Sequence, residues 1–143
     1  MRLLIDANIL VDVLQNRLPH YDYSAQIWNL CANHEVEGIV SSLTFANIVY
    51  VMRKHLNAET ICQVAEMLTQ VFTFADFTSN DMQAAAQLRW RDYEDAIQAV
   101  TAKRLSVDYI ITRNVKDFTD SPVPFVTPEI FKLQILRPND SSQ

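Results

Sequence analysis

Residues 94–118 read EDAIQAVTAKRLSVDYIITRNVKDF. The first half has helical spacing: Asp95, Ala99 and Ala102 recur at i, i+4 and i+7, so one face carries an acid followed by small residues. Small residues there let a helix lie close to a sheet, and Asp95 then points inward. After Leu105 comes Tyr109–Thr112, a short run that is apolar without alternating in and out. Such a strand is buried on both faces, as in a parallel sheet covered by helices. Thr112, Arg113, Asn114 and Asp117 follow at its end.

Working outward, the same alternation fills the chain. Arg2–Ile5, Gly38–Ser41, Phe72–Ala75 and Pro124–Val126 read as the remaining strands. Helices are predicted over Ile9–Gln15, Tyr21–His34 and Ala58–Val71, and from a cap at Ser42 or Thr44 through Lys54. Thr78–Asp81 opens another, running to Trp90, and Asp92 opens the last, through Leu105. The fold class is therefore α/β: a three-layer α/β/α sandwich around a short central parallel sheet. The length of 143 residues matches one domain. We read residues 1–136 as that domain and the polar stretch 137–143 as a loose tail.

Hydrophobic residues make up 49% and charged residues 20%, the balance of a folded globular chain. Average usage predicts roughly ten glycines, yet Gly38 stands alone and reads as a turn before a strand. Glycine-rich phosphate loops, dinucleotide-binding turns and nucleophile elbows are excluded together. A formal net charge of -5 opposes polyanion binding over the whole surface; what it leaves is a local basic rim around an acidic, cation-holding centre. Cys31 and Cys62 lack metal-ligand spacing and read as buried, reduced thiols. The first residues, MRLLIDANILVDVL, interrupt their apolar run with an acid and resemble no signal peptide. A cytoplasmic location without a membrane partner is expected.

In open parallel sheets, sites form beyond the carboxyl ends of the strands. Here those ends bring Asp6 and Asn8, then Ser42, Thr44 and Asn47, then Thr112, Arg113, Asn114 and Asp117, with Asp92, Glu94 and Asp95 opening the helix that feeds the last. Carboxylates gathered at one edge repel each other. A hard divalent cation, Mg²⁺ or Mn²⁺, removes the conflict, and such ions promote in-line attack on phosphodiesters. Plainer roles exist for each residue. Asp6 also reads as an N-cap, Asp92 and Asp95 have capping-box spacing, and Asp117 has the place of a turn acid. Glu94 continues as Gln98 and Thr101, which reads as a wetter face. The basic pairs Arg53/Lys54, Arg89/Arg91 and Lys103/Arg104 read as solvated faces, whereas Arg113 and Lys116 stand beside Asn114 and Asp117 and are the predicted phosphate contacts.

Three stretches carry a resemblance: LLIDANILVDVL at the start, SSLTFANIVYV in the middle, and EDAIQAVTAKRLSVDYIITRNVKDF. In order and spacing the chain resembles the PIN-domain family of metal-dependent ribonucleases, which includes the VapC-type toxins, from residue 2 to about 127. The resemblance implies that Asp6, Asp95 and Asp117 are metal-site acids, with Asn114 alongside, Thr112 supporting and Asn8 the polar residue after the first Asp. Asn47 departs from it, standing where the family usually has Glu; an amide offers a neutral oxygen but no charge. Glu94 and Asp92 are candidates to supply the missing charge.

The resemblance thus implies a Mg²⁺- or Mn²⁺-dependent endoribonuclease acting through Asp6, Asp95, Asp117, Asn47 and Asn114. It further implies an antitoxin partner and a homodimer. The alternative is a PIN fold without chemistry, working as a nucleic-acid- or protein-binding module, with Asn47 its motive. A metal phosphatase of another α/β fold is disfavoured, since Asp6 is followed by Ala7 and Asn8 rather than by a second Asp.

Overall fold

Leu3, Leu4 and Ile5 in the first strand explain the layering. Leu3 and Ile5 face one side and pack with Ile9, Ile27, Ile48 and Leu68, while Leu4 faces the other and packs with Ala99, Ala102 and Phe118. Both faces of the strand are sealed, and only helices on either side of a sheet can do that. The structure, a computed structural model, describes residues 1–136; the predicted loose tail lies outside the described residues.

In chain order the elements are β1 (Arg2–Ile5), α1 (Ala7–Leu14), α2 (Tyr21–Ala32), β2 (Glu37–Ser41), α3 (Ser42–Met52), α4 (Ala58–Val71), β3 (Thr73–Ala75), α5 (Ser79–Leu88), α6 (Tyr93–Arg104), β4 (Tyr109–Ile111), a 3₁₀ turn (Val115–Phe118), β5 (Phe125–Val126), α7 (Pro128–Ile130) and a π turn (Phe131–Ile135). The five strands pair in parallel, in the order β3-β2-β1-β4-β5. The predicted sandwich is thus the observed one. After β3 the chain crosses back and adds β4 on the opposite side of β1, so the strand order reverses between β2 and β4. The crevice that such a reversal opens at the carboxyl ends is the natural place for a site.

Side-chain caps start most helices. Asp6 accepts from Ala7 N, Ser41 from Leu43 N, Asn57 from Thr60 N, and Thr78 with Asp81 closes a reciprocal capping box. Because Asp6 caps it, α1 begins at Ala7 and not at Ile9. The cap of α3 is Ser41, which frees Thr44 to point inward, where it is buried. Arg104 on α6 grips Asp81 on α5 through two hydrogen bonds of 2.9 and 3.0 Å, joining the two helices.

Two readings are corrected, and one element is added. Gly38 lies within β2, where a Cβ would collide with the Cys31 Sγ and stand 2.9 Å from the Phe72 ring; its absence permits close strand–helix approach. Cys62 is exposed, and only Cys31 is buried. The segment after β5 also folds, and its Phe131 fills the core beside Leu3 and Ile5. Its signal was Thr127-Pro128, an N-cap before proline in the first turn. Among the described residues, no helix is long and apolar enough to cross a membrane.

Overpacking a filled core destabilises by about 1–3 kcal/mol. Gly38→Ala should therefore lower the unfolding free energy in urea titration by roughly that much, and adding Cys31→Ala should recover part of the loss by removing the clashing Sγ. A double-mutant cycle showing no coupling between the two positions would refute this account.

Candidate metal centre

At the carboxyl ends of β1 and β4, Asp6 is held from several directions. Ala7 N donates to its Oδ1 at 2.7 Å, Thr112 Oγ1 to its Oδ2 at 2.7 Å and Asn8 Nδ2 to Oδ2 at 3.2 Å. Gln98 Nε2, from α6, reaches Oδ1 at 3.4 Å while donating to Thr44 Oγ1 at 2.7 Å. Asp6 therefore is both the N-cap of α1 and a member of the site. Thr112 Oγ1 also accepts from Asn114 N at 3.0 Å, so the strand-end hydroxyl links Asp6 to the turn that carries Asp117.

Across the crevice, the first turn of α6 presents Asp92 and Asp95. Asp92 caps the helix, accepting from Asp95 N at 3.0 Å. One oxygen each of Asp92, Asp95 and Asp117 lies within 4.8 Å of the others. Asp95 is only 5% exposed, and its Oδ2 is buried without any hydrogen-bond partner. A buried carboxylate oxygen left without a donor is destabilising unless a cation faces it. Three close carboxylate oxygens, one of them from the residue with the orphan atom, match the ligand chemistry of a divalent ion such as Mg²⁺. Asp6 is not one of this tight trio, yet its charge helps raise the Asp95 carboxyl.

The electrostatics are those of crowded acids. Burial pushes the Asp95 carboxyl up from the ordinary 3.8 to about 8, with the charges of Asp6, Asp92, Asp117 and Glu94 adding to it. Asp6 is raised by burial, against the donors Thr112, Ala7 and Gln98. Glu94 is raised by its burial and by Asp6, while the Asn47 amide hydrogen-bonds it and pulls the other way. Glu94 therefore stands within reach of both Asn47 and Asp6. Asn114 starts the 3₁₀ turn and makes no side-chain cap there.

Two readings of this region change. Gln98 and Thr101 are 1% and 0% exposed, so the face predicted to be wet is buried. It is polar because it looks onto Asp6 and Thr44 rather than onto water. Arg113, predicted to contact phosphate, turns instead to α1. Its Nε and a terminal nitrogen donate to Asp12 at 2.8 and 2.9 Å, and Ser24 Oγ of α2 donates to the same carboxylate at 2.9 Å. Asp12 is fully buried, and a buried carboxylate needs a bidentate partner. Asp12 and Gln98 were both missed; the signal for Asp12 was an acid inside the otherwise apolar ILVDVL. Lys116 remains exposed.

Residues 2–116 match the model of the PIN domain family. Among curated proteins the chain is similar to Ribonuclease VapC1 of Aquifex aeolicus (strain VF5), 23% identical over 135 residues, covering 91% of this chain and 92% of that protein. Among solved structures it is similar to VapBC2 from Rickettsia felis bound to a DNA fragment from their promoter, with a TM-score of 0.70, 19% identity, and coverage of 89% of this chain and 98% of that one. It is also similar to a toxin–antitoxin complex from Klebsiella pneumoniae, with a TM-score of 0.66, 25% identity, and coverage of 88% and 97%.

The acid crowding has a consequence for metal-free protein. Asp95 takes up its proton more readily folded than unfolded, so its favourable contribution is complete below about pH 3.8 and is lost as pH rises through about 8. In EDTA, stability should fall across that window, Asp95→Asn should flatten the fall, and millimolar Mn²⁺ at pH 8 should reverse it. Urea midpoints at several pH values measure all three; a slope that Asp95→Asn leaves unaltered would contradict the assignment.

Proposed function

The chain belongs to the PIN domain family, and we propose that it is a Mg²⁺- or Mn²⁺-dependent endoribonuclease hydrolysing RNA phosphodiesters, the toxin of a type II toxin–antitoxin pair. One observation carries the reading: a buried Asp95 oxygen without a partner, grouped with Asp92 and Asp117 at the point where the strand order reverses. The similarity to Ribonuclease VapC1 of Aquifex aeolicus supports RNA as substrate. The complexes among the similar structures support an antitoxin partner. A homodimer belongs to the same reading.

Asp95, Asp117 and Asp92 would hold the cation, with Asp6 beside them. Bound there, the ion supplies positive charge to the scissile phosphate and lowers the pKa of the attacking water. The chain's own residues do the rest. Thr112 and Asn8 fix the rotamer of Asp6, and Gln98 ties it to α3 through Thr44. Asp95 carries a proton at neutral pH while the centre lacks a cation, and gives it up when one arrives. Glu94 brings a negative charge beside Asn47, so the amide at that position need not abolish metal binding.

Outer partners of a metal site are worth about 10–100-fold, so loss of a central acid should reduce cleavage at least about 100-fold. RNA cleavage by the purified chain should require Mg²⁺ or Mn²⁺ and fall by that factor in Asp6→Asn, Asp95→Asn and Asp117→Asn. Unchanged cleavage in these variants would defeat the proposal. A chain that binds Mn²⁺ in titration yet leaves every RNA intact would instead be a binding module.

A further inference from the structure

Beside the acid trio a cleft of about 350 Å³ lies between the α5–α6 connection and the 3₁₀ turn. Arg89, Arg91 and Lys116 line it, and it shares Asp92 and Asp117 with the metal centre. Trp90 forms its apolar wall, braced edge-to-face on Phe118 at 5.7 Å. All three cations are exposed, and none takes part in the ion pairs among the described residues, although the cleft's own acids are near.

Four other cations of the chain are engaged, while Lys54, Lys103 and Lys132 stand exposed away from this cleft. Arg2 pairs with Glu37, Arg104 with Asp81 and Arg113 with Asp12, and Arg53 stacks over Tyr50 at 3.7 Å. A chain of net charge -5 thus keeps three unengaged cations in the one cleft that borders its acid centre. Arg89 is placed there by a left-handed backbone, φ 56° and ψ 31°, at the end of α5. Glycine fits such a cap with least strain; here the position carries a guanidinium.

We propose that this cleft is a subsite for the backbone phosphates of single-stranded RNA flanking the bond to be cut. The proposal rests on the ribonuclease reading for the identity of the polyanion. Guanidinium forks match phosphate oxygens in pairs, and a positively charged groove that tracks the backbone is the usual means of holding a single strand. Arg113, held by Asp12, is replaced in the phosphate-binding role by Arg89 and Arg91.

The test is binding of a fluorescent, unstructured decaribonucleotide in EDTA, followed by anisotropy at several salt concentrations. Arg89→Gly with Arg91→Ala removes two charges while suiting the backbone at residue 89. The pair should weaken binding on the order of tenfold and reduce the salt slope by about 1.4, at about 0.7 per phosphate contact. The Arg89→Lys, Arg91→Lys pair should retain most of the slope. Lys132→Ala, on the π turn, should leave it as in the parent chain, and Mn²⁺ affinity in calorimetry should be unaltered by the double change. Parental RNA affinity and slope in the Gly/Ala pair would overturn the proposal. So would a decaglutamate peptide that binds more tightly than the RNA and is lost in that pair. Because binding is read without cleavage, RNA held here but never cut would defeat the ribonuclease reading and leave the cleft standing. A parental KM for cleavage in the Gly/Ala pair would do the reverse.

Discussion

Asp6 sits where the chain reverses direction across the sheet, and donors from three parts of the molecule converge on its carboxylate. They are the start of α1, the hydroxyl that ends β4, and the Gln98 amide of α6. Each bond is short-range, but the groups lie up to 106 residues apart in sequence. Their alignment requires β1 and β4 to pair in one register, Ile5 opposite Ile111, because a shift of one residue would send Thr112 to the opposite face. The same carboxylate therefore ties the sheet's register to the placement of α6. A site built on strand ends and a helix start is held more firmly than one built on loops alone.

Against this order stands repulsion. Asp92, Glu94 and Asp95 crowd one helix start, and Asp6 and Asp117 face them. The positive end of the helix macrodipole favours acids there, but that field cannot neutralise several charges in a buried crevice. The fold accepts a locally unfavourable arrangement, and the surrounding hydrophobic layers hold it in place. Such a conflict is the mark of a site made to receive a cation.

The layers and strand placement were legible because the central strands β1, β2 and β4 are buried on both faces, which leaves an unbroken apolar run such as Leu3–Ile5. The strand-end acids were legible for the same reason, since whatever follows such a run stands at the rim of the sheet. What escaped were partnerships between distant residues. Arg113 read as a phosphate contact because it stands beside Asn114 and Asp117 in sequence, whereas its partner Asp12 lies 101 residues away. Gln98 and Thr101 looked wet because amides and hydroxyls usually are; both are buried, and the Gln98 amide nitrogen finds Thr44 and Asp6 as partners from distant segments. Gly38 looked like a turn because glycine most often is one, and the crowding by Cys31 and Phe72 has no sequence signature.

The scarcity of glycine reaches beyond the site. Asn16, His34, Arg89 and Ser106 all hold positive φ, between 51° and 58°, where glycine would be the least strained residue. Side chains at these turns restrict the unfolded chain more than glycines would, so less backbone entropy is lost when it folds. Local strain in the native turns is the counterpart of that gain. At positive φ that strain outweighs the gain for a residue bearing a side chain, so these four turns persist only because the packing around them holds them in place.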